Sequence, residues 1–214
     1  MTDEAQIGGQ TLGGFLEALA SGAPTPGGGA AGAVLAATGC SLIAMVGHLT
    51  IGKKGFEQVE DSMKEMIERA DSARAEFLVL ADEDAHAFDS VMTAFKMPKD
   101  TEEDKAARSA AIQAGYEEAS EVPLQVARRA VGFLALAEIA TATGNPQAAS
   151  DGVCAASALY CGALCAISNV EINAAALRRE DRRMQLLDEL AGLRALADYS
   201  LKSSQTAFQL RLSS

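Results

Sequence analysis

Apolar and polar positions follow each other along this chain in steps of three and four, the spacing of α-helices. Two stretches depart from that pattern by carrying no charge at all, Ala30–Gly52 and Gly152–Val170. Both read as central helices, apolar all round because other helices surround them. Before them the pattern predicts a short amphipathic helix over Thr11–Ala20, stopping at Ser21-Gly22, and the first central helix then runs to Thr50. The hydrophilic turn Gly52-Lys53-Lys54-Gly55 leads into a long helix over Phe56–Phe95, ended by Pro98. Asp100 or Thr101 caps the next helix. Pro123 stands at the first turn of another, which ends near Gly144-Asn145-Pro146, and Ser150 or Asp151 opens the second central helix. A last helix covers Arg179–Leu210. Strand-like alternation of β-branched and aromatic residues is scarce. The fold class predicted is therefore all-α, with residues 1–214 forming a single-domain bundle of six to seven helices around two central helices rich in small residues.

The long third helix holds an anomaly. Phe56, Val59, Met63, Met66, Ala70, Ala73, Phe77 and Leu80 lead by threes and fours to position 84, then to Ala87 and Val91. Such a seam faces partner helices. Position 84 should be apolar, and it is Asp84. A carboxylate on a packing seam is paired, hydrogen-bonded or used chemically, because burying it alone is costly. Asp82, Glu83 and His86 fall off the seam and can be solvated.

The approach to the first central helix is Ala23-Pro24-Thr25-Pro26-Gly27-Gly28-Gly29-Ala30. Prolines stiffen such a segment, and glycines leave the N–H groups of a helix start unobstructed at the positive end of its dipole. It reads either as a tight helix-opening turn or as a cradle for a ligand. Two look-alike motifs fail. Gly47–Lys54 lacks the Ser/Thr of a phosphate-binding loop and follows a helical segment. Gly27-x-Gly29-x-x-Gly32 follows no strand and has no acidic residue about 20 positions on.

Composition and charge narrow the classes further. A net charge of −11 argues against nucleic acid and against an anionic membrane surface as partners. The uncharged runs are long enough to pose a transmembrane question, but Gly, Ala, Ser, Thr and Cys dilute them. They read as core helices whose small residues permit close approach, across a subunit interface included. Cys40, Cys154, Cys161 and Cys165 show neither CxxC spacing nor a His framework, so no metal site is expected. Cys154, Cys161 and Cys165 fall on one helix face and read as buried small hydrophobes. Free thiols, with no basic n-region or apolar h-region in the first ten residues, point to the cytoplasm.

One ordered series of short motifs resembles a known family. Ala-Pro-Thr-Pro-Gly-Gly-Gly at 23–29 is followed by Met45-Val46-Gly47 and Leu49-Thr50-Ile51-Gly52-Lys53-Lys54, then by Asp82-Glu83-Asp84-Ala85-His86-Ala87-Phe88. Phe95-Lys96-Met97-Pro98-Lys99, Thr101-Glu102-Glu103, Val122-Pro123-Leu124, Gly144-Asn145, Ser150-Asp151 and Asn169-Val170-Glu171-Ile172-Asn173 continue it. From about Phe15 to the last helix the chain is similar to the cyclodeaminase/cyclohydrolase family of folate enzymes. The resemblance implies an all-helical homodimer acting on one-carbon units carried by tetrahydrofolate, with no further cofactor. One branch, usually fused to a formiminotransferase domain, expels ammonia from 5-formiminotetrahydrofolate to give 5,10-methenyltetrahydrofolate. A stand-alone branch hydrolyses the methenyl compound to 10-formyltetrahydrofolate. The chain has no room for the transferase domain, and its Thr-Ile-Gly-Lys-Lys stretch is closer to the stand-alone branch than to the Tyr-Gly-Arg-Arg form of the fused enzymes. A methenyltetrahydrofolate cyclohydrolase is expected. The cyclodeaminase is the alternative, and a non-catalytic folate-binding helical protein is a third reading.

Both reactions pass through a tetrahedral carbon between N5 and N10 of the folate, so the site needs a base, an anion to complement a cation, and an acid for the departing nitrogen. The resemblance assigns Asp84 to catalysis, with Asp82 second. Pro26, Gly27, Gly28 and Gly29 are candidates for contacts with the pterin or the glutamate of folate through the N–H groups of the helix start, the alternative being a tight helix-entry turn. Lys53, Lys54 and Lys99 are candidates for the anionic glutamate tail. Asn169 and Asn173, one helical turn apart, are candidates for a pterin edge. The plain structural alternatives are a paired Asp84, a solvated lysine turn and asparagines that close a helix end. Asp151 reads as a helix cap.

Overall fold

The computed structural model describes residues 6–213. Among them lie seven α-helices and no strand: α1 Leu12–Leu19, α2 Gly28–Thr50, α3 Glu60–Ala87, α4 Asp89–Phe95, α5 Glu102–Thr143, α6 Ala149–Ala175 and α7 Glu180–Leu212. The all-α class and the helix count follow the hydrophobic pattern. Several boundaries do not, and each departure has a local cause.

The helix expected over Phe56–Phe95 is interrupted. A 3-10 turn over Glu57–Val59 precedes α3, and Phe88 separates α3 from α4. The break re-aims the chain, so that Val91 packs on Gly115 of α5, where an added Cβ would meet Val91 at 3.2 Å. The helix expected to begin at Pro123 is part of α5, a single helix of 42 residues with Pro123 inside it. A proline there removes one i→i−4 hydrogen bond, which frees the carbonyl of Ala119. Asn173 of α6 supplies the missing donor, its Nδ2 lying 2.9 Å from that oxygen. The start of α5 carries a capping box: Thr101 Oγ1 accepts the Asp104 N–H, and Asp104 accepts the Thr101 N–H. At the start of α6 a 3-10 turn over Pro146–Ala148, capped by Asn145, does the work expected of Ser150 or Asp151. Asp151 therefore sits in the first turn of α6 and is not its cap.

Helices α2 and α6 run antiparallel through the centre, and their small residues let the backbones touch. A Cβ on Gly162 would lie 2.6 Å from the Gly32 carbonyl, and one on Gly39 would lie 2.7 Å from Leu159 Cγ. On its other side α2 receives α3, with Gly47 against Ile67. Helix α5 packs along α6 and α3, where Phe77 and Phe133 meet edge to face with centroids 6.5 Å apart. Helix α7 covers α5 and α6 from outside. Both central helices are long and apolar enough to span a membrane, yet 61% and 44% of their most apolar windows are buried by the rest of the chain. Their remaining faces are open. Cys154 and Cys161 lie exposed on that outer face of α6 and Cys165 half-buried, which corrects the expectation that all three are core residues. Only Cys40 is buried, and burial pushes its thiol up to about 12.

Candidate active site

The site is built where α2 begins. Gly27 is extended and caps α2 without a side chain, so no capping side chain occupies the first N–H groups of the helix. From the last turn of α3, Asp84 reaches over this end and accepts the Ala30 N–H. Gly29 makes the approach possible: a Cβ there would fall on both carboxylate oxygens. Asp84 is half-buried, and desolvation raises its carboxyl above the ordinary aspartate range, the Ala30 hydrogen bond offsetting part of the rise. Among the described residues no cation pairs with it. A carboxylate held in this way is a proton acceptor of enhanced basicity and a counter-anion for a positively charged ligand.

Asp84 opens into a cleft of about 380 Å³ whose walls include Gly27, Gly28, Tyr116, Pro123, Asn169 and Asn173. None of the residues lining it is a lysine or arginine. Asn169 donates to the Cys165 carbonyl at 2.8 Å, and its amide sits close against Gly28. Asn173 donates to Ala119. Each asparagine thus spends a donor on the protein, while neither Oδ1 accepts a hydrogen bond among the described residues. Those two oxygens are available to N–H groups of a heterocycle. Tyr116 closes the opposite wall. Its ring meets Phe95 edge-on at 6.5 Å, and the Arg108 guanidinium stands 5.5 Å over Phe95 while donating to the Phe95 carbonyl.

The expected site residues divide. Asp84, Gly27, Gly28, Gly29, Asn169 and Asn173 come together at this one end of the bundle. Asp82 does not join them: it points to the other side of α3 and accepts the Ile7 N–H at 2.7 Å. It lines a neighbouring hollow of about 480 Å³ together with Pro26, His86 and Asp89, so Pro26 stands between the two cavities and not in the Asp84 cleft. Lys53 and Lys54 lie beyond the far end of α2, roughly 35 Å from Gly28 at 1.5 Å per residue. Lys99, in the loop after α4, is exposed and lines neither cavity. Tyr116, Phe88 and Ile172 line the cleft without having been expected there. Phe88 and Ile172 sit inside the quoted motifs, and Tyr116 is a lone aromatic in a polar stretch, which is a weak signal by itself. Among the described residues no group of three or more His, Cys, Asp and Glu is placed to hold a metal ion.

An all-helical bundle with a desolvated aspartate over a glycine-rich helix start defines a class, and comparison with known proteins identifies it. Residues 11–192 match the family model described as Formiminotransferase-cyclodeaminase, and the chain belongs to that family. Among curated proteins it is 42% identical over 190 residues to "Methenyltetrahydrofolate cyclohydrolase" of Methylorubrum extorquens, covering 89% of this chain and 91% of that one. It is 40% identical over 160 residues to "Formimidoyltransferase-cyclodeaminase" of Sus scrofa, covering 74% of this chain and 29% of that longer protein. Among solved structures, formiminotetrahydrofolate cyclodeaminase of Thermotoga maritima superposes with a TM-score of 0.84 at 32% identity, covering 94% of this chain and 96% of that one.

Proposed function

We propose that residues 1–214 act as one catalytic unit that hydrolyses 5,10-methenyltetrahydrofolate to 10-formyltetrahydrofolate, with Asp84 as the base. The observation that carries this reading is the placement of a single, desolvated and uncompensated carboxylate in a cleft otherwise free of charge. Such a cleft suits a substrate whose reacting carbon belongs to a cationic amidinium. Similarity to a cyclohydrolase over nine-tenths of both chains supports the hydrolytic branch.

In the proposed reaction Asp84 holds a water molecule against the methenyl carbon and takes one of its protons as the C–O bond forms. The result is a neutral tetrahedral carbon bearing a hydroxyl between N5 and N10. The Asp84 carboxylic acid then returns the proton to N5 as the C–N5 bond breaks. The hydroxyl proton leaves to solvent as the C=O bond forms, so one proton is released per turnover. Oδ1 of Asn169 and of Asn173 accept from the pterin, Tyr116 packs against its ring system, and the free N–H groups at Gly28 and Gly29 hold the ring in register. Tetrahydrofolate enters as the carrier of the substrate and no further cofactor takes part. The protein works as a homodimer in the cytoplasm, where free thiols such as Cys154 and Cys161 stay reduced.

The test is the methenyl absorbance, followed beside an enzyme-free blank and the Asp84→Asn variant. Catalysed decay that disappears in Asp84→Asn is the expected result. Methenyl absorbance appearing from 5-formiminotetrahydrofolate, with no decay of the methenyl compound, would move the activity to the cyclodeaminase. Binding without turnover of either compound would make this a folate-binding protein and end the catalytic reading.

A further inference from the structure

Cations are outnumbered in this chain, and most of its arginines are neutralised. Of eleven arginines, eight lie within ion-pair distance of a carboxylate among the described residues. A ninth, Arg211, donates to the carbonyls of Thr141 and Gly144 at the C-terminal end of α5. The other two are fastened to neutral oxygens near the start of α5. Arg108 donates through Nε and Nη2 to the Phe95 carbonyl, at 3.3 and 3.1 Å. Arg178 donates through Nη1 to Ser109 Oγ at 2.6 Å, and its backbone N–H donates to Gln113 Oε1 at 2.6 Å. Gln113 completes the brace by donating to the Ala176 carbonyl at 3.0 Å. The neighbouring acids Asp104 and Glu117 are engaged elsewhere, in the capping box and with Arg179. Each of the two guanidiniums therefore keeps its charge and unused N–H groups. A guanidinium fixed in place but left unpaired is a preorganised receptor for a carboxylate.

Both lie along the continuation of the Asp84 cleft. On α5 the cleft is lined by Tyr116, Ala119 and Pro123, and Tyr116 is the one nearest the start of the helix. Ser109, which holds Arg178, comes seven residues earlier, about 10 Å along the axis. Ser109, Gln113 and Tyr116 are spaced i, i+4 and i+7, so they share one face of α5, and all three are half-buried. On one side of this face the α6 wall of the cleft, Ile172 and Asn173, continues through Ala176 to Arg178. On the other, Phe88 leads into α4, whose last residue Phe95 meets both the Tyr116 ring and the Arg108 guanidinium. Ile172 and Phe95 are 70% and 43% exposed. The surface thus passes from a cleft without cations, over exposed apolar side chains, to two unpaired positive charges. A folate has the same order of parts: a pterin, an apolar aminobenzoyl ring and an anionic glutamate.

We infer that Arg108 and Arg178 bind the glutamate of the substrate within the same protomer, the aminobenzoyl ring lying over Phe95 and Ile172 on the way. The inference rests on the folate reading for the ligand and on the two arginines for the place. It also accounts for a cleft that holds no cation of its own. A positive charge beside the methenyl amidinium would oppose the bound substrate, so the charge that meets the tail stands outside.

The test compares two substrates that differ only in the tail, 5,10-methenyltetrahydrofolate and its pteroate analogue lacking the glutamate. The wild type should favour the folate in kcat/KM by about tenfold or more, the worth of a charged hydrogen bond. Arg108→Gln and Arg178→Gln keep a donor for Phe95 and Ser109 but remove the charge. Each should reduce that ratio several-fold, and the double variant should bring it close to one. Variants that merely damage the fold would slow both compounds alike and leave the ratio as it was, which overturns the inference. So does a wild type that does not distinguish the two compounds. If the wild type turns over neither, the functional reading has failed, and the ratio is read instead from the dissociation constants of tetrahydrofolate and tetrahydropteroate by calorimetry. A preference for the glutamate that the double variant loses then sustains the site without the reaction. Equal binding of the two overturns both.

Discussion

Pro123 and Asn173 share one carbonyl group. Proline cannot donate to the Ala119 oxygen one turn back, and Asn173 Nδ2 does so across the α5–α6 contact at 2.9 Å. This bond keeps a 42-residue helix continuous through a proline and fixes which end of the Asn173 amide faces the cleft. A residue that looks like a helix breaker thereby positions a side chain of the proposed substrate site.

Replacing Pro123 with alanine restores a backbone N–H that competes for Ala119, so Asn173 loses its tether. We expect KM for the folate to rise several-fold with little change in kcat and an unchanged or higher Tm. Asn173→Ala should raise KM as well, but with a stability cost of about 1–3 kcal/mol, because the Ala119 carbonyl is left unpaired. Steady-state kinetics and thermal melts on the two variants distinguish them.

Asp84 should trade stability for activity. Burial raises its carboxyl in the folded chain, so the ionised form is less costly in the unfolded chain. Its contribution to stability is therefore full below the ordinary aspartate value of about 3.9 and is lost as pH rises through the higher folded value. Asp84→Asn should raise Tm by a few degrees at pH 7.5, and that difference should close as pH falls towards 4. Its kcat should fall by about 10²–10⁴, the worth of a positioned base. Wild-type kcat runs opposite to stability, declining as pH drops through the same raised value. Melting curves and rates recorded from pH 4 to 8 check both.

Gly29→Ala places a methyl group on the Asp84 carboxylate. We expect the rate to fall as far as in Asp84→Asn, with a loss of about 1–3 kcal/mol of stability from overpacking. Combining Gly29→Ala with Asp84→Ala removes the clash, so much of the lost stability should return while activity stays absent. A double-mutant cycle on Tm measures this coupling, and additive effects would contradict the contact.

The α2–α6 contact should resist even one added carbon. Gly162→Ala brings a Cβ to 2.6 Å from the Gly32 carbonyl, which is backbone and cannot rotate aside. A loss of about 1–3 kcal/mol is expected. Gly132→Ala is the control, because nothing lies within 4 Å of that Cβ and a helix-interior alanine should gain about 0.5–1 kcal/mol. Urea titrations of the pair are enough to compare them.

What the sequence determined by itself was the class of elements and the anomaly within them. Helical spacing depends on which side chains share a face, a local property, so an all-helical bundle of six to seven helices and an aspartate on a buried seam could be read before any packing was known, while the break at Phe88 and the continuity through Pro123 could not. The glycine-rich helix start and the two asparagines were legible for the same reason, because their spacing follows from helix geometry. Only the tertiary structure decided which of these meet. It brought Gly29, Asp84, Asn169 and Asn173 from three helices to one end and turned Asp82, two residues from Asp84, towards Ile7. It also held Lys53 and Lys54 a helix length away. Pro123 shows the physical reason most clearly. A proline stops a helix when only its neighbours in the chain are considered, and it is tolerated here because a side chain fifty residues later supplies the lost hydrogen bond. Local preferences act over a few residues, whereas a site is made by contacts that exist only after the helices have packed.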